Sequence, residues 1–456
     1  MERDFDVVVI GAGPPGEVVA GRCAKGGLRT AIVEAELVGG ECSYWGCIPS
    51  KTLIRPGDVV AAARRVPGAS GAVTGDIDVW AAFGQRDYMT SSWSDEHALK
   101  WLEEQHVTLV RGHARITGER VVEVGDDVLR AAKAVVIAVG TDAFMPPVEG
   151  LAEAHAWNNR GATAAHAVPE RLIVLGGGAI GCELGQAFKR LGSREVTIVE
   201  GAPHLLSREE PFAGEQIGQA FEAEGIAVLT GEHAVKVHRF GPGTPVTVTL
   251  ESGRTVVGDE LLVAVGRTPR TTDIGLDTVG LGDKSGKYLP TDHRLQVEGV
   301  PWLYAIGDCN GRALLTHMGK YQARICGDVI LGKEAEIRDV IPRVTFTDPQ
   351  VAAVGMTAAE AEKSGRPTRC VSVPTGDVAG AYVLGKDISG TSQLVIDTES
   401  RTILGATFTG PGVQELLHSA SVAIAGRVTV DDLWHAVPSF PTVSEVWLNL
   451  LQEYGL

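Results

Sequence analysis

Two cysteines five residues apart are the side chains of this sequence best suited to chemistry. Cys42 and Cys47 lie in the segment GGECSYWGCIPSK, among glycines, a proline and a lysine. This setting is typical of neither a zinc site nor a secreted disulfide framework. Such a pair can cycle between dithiol and disulfide where a helix N-terminus or a positive charge stabilises one thiolate. Spacing alone leaves open the alternative of two buried, inert cysteines.

The residues after the second cysteine predict how one thiol is activated. Pro49 and the short polar residues beside it favour a helix that begins near Cys47. The amide dipoles of that first turn would lower the pKa of the Cys47 thiol. The other five cysteines are expected to be small buried residues, because an odd total of seven does not suggest a disulfide framework: Cys23, Cys182, Cys309, Cys326 and Cys370.

Two glycine-rich loops predict binding sites for two dinucleotides. Each follows an apolar strand, opens a helix and precedes a second strand that ends in an acid. The first repeat contains the strand Phe5–Ile10, the glycines Gly11, Gly13 and Gly16, and the strand Thr30–Glu34. The second contains the strand Arg171–Leu175, the glycines Gly176, Gly178 and Gly181, and the strand Glu195–Glu200. Glycines let the backbone approach a pyrophosphate, and the helix N-terminus faces its charge.

The acid that ends each repeat indicates which nucleotide binds. Glu34 and Glu200 can each bond a ribose hydroxyl. A carboxylate at Glu200 would also repel the 2′-phosphate of NADP, so NADH is expected rather than NADPH. Arg208 lies too far along the sequence to act as a phosphate clamp.

The remaining segments predict an α/β fold followed by a separate α+β domain. Short alternating segments over Val107–Val136 predict an antiparallel meander. Val135–Gly140 is expected to be an apolar strand that ends in glycine. Two similar strands, Leu261–Gly266 and Leu303–Asp308, are expected to return to the sheets already begun. Asp308 is placed to bond the sugar-alcohol chain of a flavin, and a helix follows from about Leu314. From about Ile337 the strands and helices lack phosphate loops.

Charge and hydropathy exclude two classes of partner. The net charge of −16 is unsuited to binding nucleic acid or anionic membranes, both of which require a basic surface. No apolar run approaches the roughly 20 residues of a membrane span. The chain passes from charged residues directly into a strand, so a cytoplasmic location is expected.

Over essentially its whole length the chain resembles the flavin-dependent pyridine nucleotide–disulfide oxidoreductases, the group of dihydrolipoamide dehydrogenase, glutathione reductase and mercuric reductase. The cysteine segment matches the family's redox box GGxCxxxGCxPSK, and GAGPPG, GGGAIGCELG, AVGRTP, AIGD and VTFTDPQVAAVG match in the family's order. The resemblance implies a homodimer, FAD, NAD(H), and two Rossmann-like dinucleotide-binding domains plus a C-terminal α+β dimerisation domain. The implied segments are an FAD-binding domain with the cysteine pair at 1–145, an NAD(H)-binding domain at 146–266, a return segment completing the FAD domain at 267–336, and the dimerisation domain at 337–456.

The resemblance also implies roles for matching positions. Cys47 would be the thiolate against the flavin, and Cys42 the outer thiol that exchanges with substrate. Lys51 would pair with Glu183 beside flavin N5, where its charge stabilises the reduced ring; a solvated surface charge is the alternative. FAD would be bound by Gly11, Gly13, Gly16, Glu34, Lys51, Gly140, Asp308 and His317. NAD(H) would be bound by Gly176, Gly178, Gly181, Glu200 and Gly266, and no metal site is expected.

Phe440 departs from the family pattern near the C-terminus. Family members that exchange dithiols carry His-Pro-Thr-x-x-Glu, in which the partner subunit's histidine is the general acid/base and the glutamate orients it. This chain reads FPTVSE and retains the glutamate as Glu445. A phenyl ring cannot take a proton from Cys42, a service typically worth about 10²–10⁴ in rate. His435 is a candidate substitute if a bend at Pro438 brings it near.

The sequence therefore predicts an FAD-dependent, NAD(P)H-linked disulfide/dithiol oxidoreductase, similar to dihydrolipoamide dehydrogenase, acting on a small-molecule or protein thiol or disulfide. One alternative is direct reduction of quinones or metal ions by flavin, although the C-terminal cysteine pair of mercuric reductases is absent. Another is carboxylase-type chemistry in a proton-poor site, as in 2-ketopropyl-coenzyme M oxidoreductase/carboxylase. A third is a redox partner or sensor without turnover. Ala179 stands where glutathione reductases carry a gating tyrosine, which weakens an assignment as a glutathione reductase.

Overall fold

Strands and helices alternate through most of the computed structural model, which describes residues 1–456. Residues before 145 form β1 (Glu2–Ile10), α1 (Pro14–Lys25), β2 (Thr30–Glu34), α2 (Gly40–Tyr44), α3 (Cys47–Arg65), α4 (Val79–Met89), α5 (Glu96–Glu104), β3 (Thr108–Arg111), β4 (Ala114–Gly118), β5 (Val121–Val124), β6 (Asp127–Ile137) and β7 (Thr141–Ala143). Residues 145–265 form α6 (Asn159–Thr163), β8 (Arg171–Leu175), α7 (Ala179–Arg190), β9 (Glu195–Glu200), α8 (Pro211–Ala223), β10 (Ile226–Thr230), β11 (Ala234–Arg239), β12 (Val246–Leu250), β13 (Thr255–Gly258) and β14 (Glu260–Val263). The remainder forms β15 (Arg267–Pro269), β16 (Gln296–Val297), β17 (Val300–Ala305), α9 (Thr316–Ile330), β18 (Pro342–Thr345), β19 (Gln350–Gly355), α10 (Ala358–Lys363), β20 (Thr368–Pro374), α11 (Ala379–Leu384), β21 (Thr391–Asp397), β22 (Ile403–Gly410), α12 (Val413–Gly426), α13 (Val430–Trp434) and α14 (Val446–Tyr454).

The first of two units is built around an eight-stranded sheet. This unit comprises Met1–Pro49, Gln85–Phe144 and Gly266–Asp339. Its main strand order is β16-β17-β6-β1-β2-β3. In addition, β5 pairs antiparallel with β6, and β4 pairs antiparallel with β5. β1 pairs parallel with both β2 and β6. A parallel sheet of this kind suits the predicted dinucleotide fold.

The sequence of β1 explains why it lies at the centre of this sheet. Val8 and Ile10 enter the core on one face, while Val7 and Val9 enter the core on the other. A parallel strand covered on both faces requires a continuous apolar run rather than alternation. The run VVVI meets that requirement.

One strand prediction in this unit is wrong. Val107–Val136 was expected to be an antiparallel meander throughout, but β3 pairs parallel with β2. Only β4, β5 and β6 form the antiparallel part. A short strand's alternation indicates burial and not direction, and β3 follows helix α5, as parallel crossovers do.

The second unit contains three sheets and comprises Ser50–Gly84, Met145–Val265 and Val340–Leu456. A four-stranded parallel sheet has the order β10-β9-β8-β14, and β11, β12 and β13 form an antiparallel sheet. A five-stranded antiparallel sheet, β18-β19-β22-β21-β20, packs against α12 and α14 around a core that includes Phe408 and Trp447. The predicted α/β class with a C-terminal α+β region is confirmed.

The predicted division of the chain into four segments at residues 145, 266 and 336 stays a prediction. The bounds of individual strands agree more closely with the sequence. The expected bounds of β2, β8 and β9 are confirmed. Among the helices, none is both long enough and apolar enough to cross a membrane.

Candidate active site

The two cysteines lie at the start of neighbouring helices in the first unit. Cys42 is within α2, and α3 begins at Cys47 as predicted. Both side chains are half-buried thiols without a disulfide. The Cys47 Sγ atom lies 3.4 Å from Oγ1 of Thr316, within hydrogen-bonding distance for sulfur. The sequence therefore brings both thiols and a hydroxyl together.

The neighbouring thiol and burial disfavour ionisation of Cys42. A hydrogen bond to the Cys47 side chain raises the pKa of Cys42 well above its usual range, and burial raises it further. A hydrogen bond from Thr316 acts in the opposite direction with a smaller effect. The roles of Cys47 as the thiolate against the flavin and of Cys42 as the outer thiol stay predictions.

Thr316 is a site residue that sequence reasoning missed. It is the first residue of α9, close to where a helix was expected from Leu314. The next residue, His317, is exposed on the same first turn. The N-terminal end of a 15-residue helix favours negative charge nearby, so α9 supports a thiolate at Cys47.

The first glycine loop has room for a ligand at one position only. A Cβ atom on Gly11 would lie 2.5 Å from the carbonyl oxygen of Ala138, and one on Gly16 would lie 2.0 Å from that of Gly11. These two glycines are therefore required by the protein's own packing. A Cβ on Gly13 would meet nothing closer than Pro15 at 4.0 Å. The open side of Gly13 fits the approach of a pyrophosphate to the backbone, as FAD requires.

The second glycine loop repeats this arrangement in the second unit. A Cβ on Gly176 would lie 2.5 Å from the Ala264 carbonyl oxygen, and one on Gly181 only 1.9 Å from that of Gly176. Gly178 again faces open space, with nothing within 4 Å. The repeated pattern fits a second dinucleotide, NAD(H), at this loop.

Each terminal acid is bonded to its own glycine loop. Glu34 accepts the N–H of Ala12 at 2.8 Å, and Glu200 accepts that of Gly177 at 2.6 Å. The second oxygen of Glu200 accepts from Ala202 at 2.7 Å. A carboxylate has about four acceptor positions, so each acid can fix its loop and still bond a ribose hydroxyl. The loop-organising role was not evident from the sequence.

Asp308 is held by two residues that sequence reasoning did not assign. Its carboxylate accepts a hydrogen bond of 2.9 Å from Oγ1 of Thr141, which in turn accepts one of 2.7 Å from Nε of Arg267. Burial raises the pKa of Asp308, while the Thr141 bond and the Arg267 charge lower it in part. The sequence signal was the Gly-Thr and Gly-Arg dipeptides that follow two predicted strands.

Two other predicted positions are glycines with positive φ angles in the first unit, Gly140 and Gly266. The Gly140 carbonyl accepts the N–H of Arg270 at 3.1 Å, and that of Gly266 accepts the N–H of Phe144 at 2.9 Å. Gly140 was assigned to FAD and Gly266 to NAD, although Gly266 belongs to the first unit and the second glycine loop to the other. Both assignments stay predictions.

Lys51 and Glu183 form an ion pair in the second unit. Lys51 Nζ lies 2.6 Å from Oε2 of Glu183, whose side chain is 4% exposed. The other carboxylate oxygen accepts the N–H of Phe346 at 2.9 Å, and Lys51 Nζ lies 4.9 Å from the centroid of the Phe346 ring. Lys51 is therefore ion-paired with Glu183, while its role at the flavin stays a prediction.

The loop that carries Phe346 also binds α7 through a second residue, Asp348. Gln186 accepts the N–H of Asp348 at 2.8 Å and donates to its carbonyl at 3.0 Å. Arg190 binds the Asp348 carboxylate at 2.8 Å. Glu183, Gln186 and Arg190 are three and four residues apart, so they share one face of the helix. This spacing was visible in the sequence, but its partner loop was not.

The C-terminal positions differ in exposure and partners. Phe440 is 77% exposed, and His435, the C-cap residue that follows α13, is exposed as well. Glu445 accepts the backbone N–H groups of Thr442 and Gly380, both at 3.2 Å. The glutamate that orients a histidine in the family thus caps local backbone here. Its retention has a structural cause in this chain.

Comparison with known proteins places this geometry in a family. Residues 5–323 match the family described as pyridine nucleotide-disulphide oxidoreductase, and residues 341–451 match its dimerisation domain. The chain belongs to the pyridine nucleotide-disulphide oxidoreductases. Members bind FAD and NAD(P)H, so the chain is a flavoprotein oxidoreductase of the disulfide type.

Relatives cover almost the whole chain. A dihydrolipoyl dehydrogenase of Thermus scotoductus is 33% identical over 97% of this chain and 96% of its own length. A mercuric reductase of Staphylococcus aureus is 29% identical over 97% of this chain and 81% of its own length. Among solved structures, LpdA of Mycobacterium tuberculosis has a TM-score of 0.86 at 25% identity, covering 99% of this chain and 100% of that one.

Proposed function

We propose that this oxidoreductase is a homodimer that uses NADH to reduce a thiol-reactive substrate. Electrons would pass from NADH through FAD to the Cys42–Cys47 pair and from there to the substrate. The observation that carries the proposal is the contact among Cys42, Cys47 and Thr316. Inert cysteines would not require a hydroxyl at the first turn of a helix beside them. FAD, which Gly13, Glu34 and Asp308 would hold, would supply an acceptor for the nicotinamide hydride and a two-electron donor for the pair.

The protein's own residues divide the work on the thiols. Thr316 and the N-terminus of α9 stabilise negative charge at Cys47. The hydrogen bond to Cys47 and burial raise the pKa of Cys42, and a thiol must lose its proton before it attacks a disulfide. Substrate exchange at Cys42 therefore requires a group that removes this proton, and Phe440 cannot do so.

The preference for NADH is supported by the position of Glu200. Two backbone N–H groups, of Gly177 and Ala202, hold its carboxylate beside the second glycine loop. A fixed negative charge there favours a ribose hydroxyl over a 2′-phosphate. Arg208 is exposed and is not one of the groups that donate these hydrogen bonds to the Glu200 carboxylate.

Phe440 narrows the substrate class. A substrate whose leaving group needs a proton from the enzyme, such as a simple dithiol or disulfide, would turn over slowly. A disulfide with acidic thiols, or a soft metal ion that binds thiolates, places less demand on proton transfer. The same observation favours a second candidate, direct reduction of a quinone or metal ion, because such acceptors do not need the histidine.

Replacement of the outer thiol separates the two candidates. In the proposed function Cys42→Ser abolishes NADH-dependent reduction of an aromatic disulfide and leaves the first reduction of the flavin by NADH unchanged. Full disulfide reduction by Cys42→Ser would contradict it. Full activity of that variant with a quinone, together with no disulfide reduction by the unmodified enzyme, would establish the second candidate.

A further inference from the structure

A hydrogen-bonded turn holds the segment that carries Cys42. Nε1 of Trp93 donates a hydrogen bond of 3.1 Å to the carbonyl of Tyr44, the last residue of α2. The buried Tyr44 hydroxyl donates to the carbonyl of Val38 at 3.0 Å and lies 3.4 Å from that of Ser94. The N–H of Val38 donates to Asp95 at 2.9 Å. Residues 93–95 thus bind both ends of the segment 38–44, all within the first unit.

The backbone of this turn is strained. Ser91, Ser92 and Trp93 have φ angles of 50°, 49° and 58°, a left-handed region that L-residues disfavour. Strain of this kind persists only where the surroundings over-determine the conformation, and it is common at functional sites. The buried guanidinium of Arg86 lies 5.3 Å from the Trp93 ring and is paired with Asp87. The Arg86 guanidinium therefore helps to hold the Trp93 indole in place.

Helix α2 depends on these outside contacts. It has five residues, fewer than an isolated helix needs to be stable. Cys47, by contrast, begins a 19-residue helix and contacts Thr316. Of the two thiols, Cys42 is the one whose position is set by a neighbouring turn.

We propose that Trp93 is a positioning residue for the redox pair. By fixing the Tyr44 carbonyl it keeps the Cys42 thiol beside Cys47 and favours disulfide closure. In closure the two thiols lose two electrons and two protons and form one S–S bond; oxidised glutathione can accept both and becomes two reduced glutathiones. The inference rests on the proposed function, in which this pair turns over.

Trp93→Phe tests the role because it removes the N–H donor and keeps an aromatic ring. Loosening α2 lowers the effective concentration of one thiol at the other. We expect the closure constant to fall roughly three- to tenfold, which raises the midpoint potential by about 14–30 mV. The FAD-loaded protein is equilibrated anaerobically with reduced and oxidised glutathione, alkylated, and the paired fraction of Cys42 and Cys47 is measured by mass spectrometry.

Two control variants separate positioning from stability. Ser92→Gly places the residue most tolerant of positive φ in the turn and leaves the indole bond intact, so thermal stability changes and the potential does not. Trp80→Phe alters an 80% exposed tryptophan and should change neither. An unshifted potential in Trp93→Phe overturns the inference, as does a potential that follows thermal stability across all variants.

Two further results are also decisive. If Trp93→Phe yields no folded protein, Tyr44→Phe replaces it, since loss of the hydroxyl bond to Val38 loosens the same segment. A rise in potential then supports the inference and no change overturns it. If Cys42 and Cys47 of the unmodified protein stay unpaired in every glutathione mixture, the proposed function itself fails.

Discussion

The carboxylate of Glu183 is bonded on both sides, to the ammonium of Lys51 at 2.6 Å through one oxygen and to the Phe346 N–H at 2.9 Å through the other. Glu183 is almost fully buried, whereas Lys51 is about one-third exposed. The pair therefore holds a positive charge at a defined place with its counter-charge inside the protein. This arrangement suits stabilisation of negative charge on a reduced flavin.

Removal of that counter-charge should slow turnover and weaken the fold. Glu183→Gln keeps an acceptor for Phe346 but leaves Lys51 without its partner. We expect kcat with NADH and a disulfide to fall roughly tenfold or more. The free energy of unfolding should fall by about 1–2 kcal/mol, a value reduced by the exposure of the lysine. Steady-state rates and urea unfolding measure the two effects.

The matched control is Glu215→Gln on the exposed surface of α8. It removes the same charge without touching the pair and should leave both quantities unchanged. Equal kcat values for Glu183→Gln and Glu215→Gln would show that the Lys51–Glu183 ion pair does not contribute to turnover.

The Thr316 hydroxyl should make Cys47 more reactive. Thr316→Val retains the shape of the side chain and loses the hydroxyl that lies 3.4 Å from the sulfur. A hydrogen bond to a charged group contributes about 1.5–3 kcal/mol, so alkylation of Cys47 at neutral pH should slow roughly tenfold. Thr316→Ser retains the hydroxyl and should react like the unmodified protein. Indistinguishable rates in the Val and Ser variants would rule out this contact as the cause.

A histidine at position 440 should restore acid/base function. Phe440→His recreates the family sequence, with Thr442 and Glu445 already in place. Oxidation of a simple dithiol should rise roughly tenfold or more and acquire a pH dependence near 6.5, the ordinary pKa of histidine. Phe440→Gln is polar but cannot exchange protons in this range, and it should bring no gain. Similar rates for His and Gln would show that proton transfer at 440 does not limit turnover.

Glu17 should make stability depend on pH. Burial raises the pKa of Glu17 from an ordinary value of 4.5 to about 7, with Lys320 opposing and Glu34 adding to the shift. Between these values the folded protein holds a proton that the unfolded chain releases, so stability falls as pH rises and levels off above about 7. Glu17→Gln should therefore gain about 2–3 kcal/mol over the unmodified protein between pH 5 and pH 8.

Urea unfolding at the two pH values measures this gain. Glu103→Gln, at an exposed position of α5, should show the same pH dependence as the unmodified protein. A constant difference between Glu17→Gln and the unmodified protein across this range would mean that Glu17 is ionised throughout.

The elements that could be predicted from sequence are those set by local pattern. The bounds of β2, β8 and β9 follow from apolar runs that stop at an acid or a glycine, and the start of α3 follows from Cys47 and Pro49. Resemblance to the family paired Lys51 with Glu183. Strand direction failed at β3, because alternation carries no information about which neighbour a strand joins.

Contacts between distant segments could not be predicted. Thr316 and Cys47 are separated by 269 positions, and Trp93 and Tyr44 by 49. Neither Thr316 nor Trp93 belongs to a motif that signals its contact. The positive φ angles of residues 91–93 also run against their residue types, so local propensity predicts a different backbone there.

In the proposed function, electrons from NADH reach the Cys42–Cys47 pair. Its most direct test is an anaerobic titration of the FAD-loaded protein with NADH, in which absorbance is recorded and free thiols are alkylated and mapped at each step. We expect the first two electrons to convert one Cys42–Cys47 disulfide to two thiols, with a new long-wavelength absorbance. Bleaching of the flavin by those electrons, with no new thiols at Cys42 and Cys47, would contradict it.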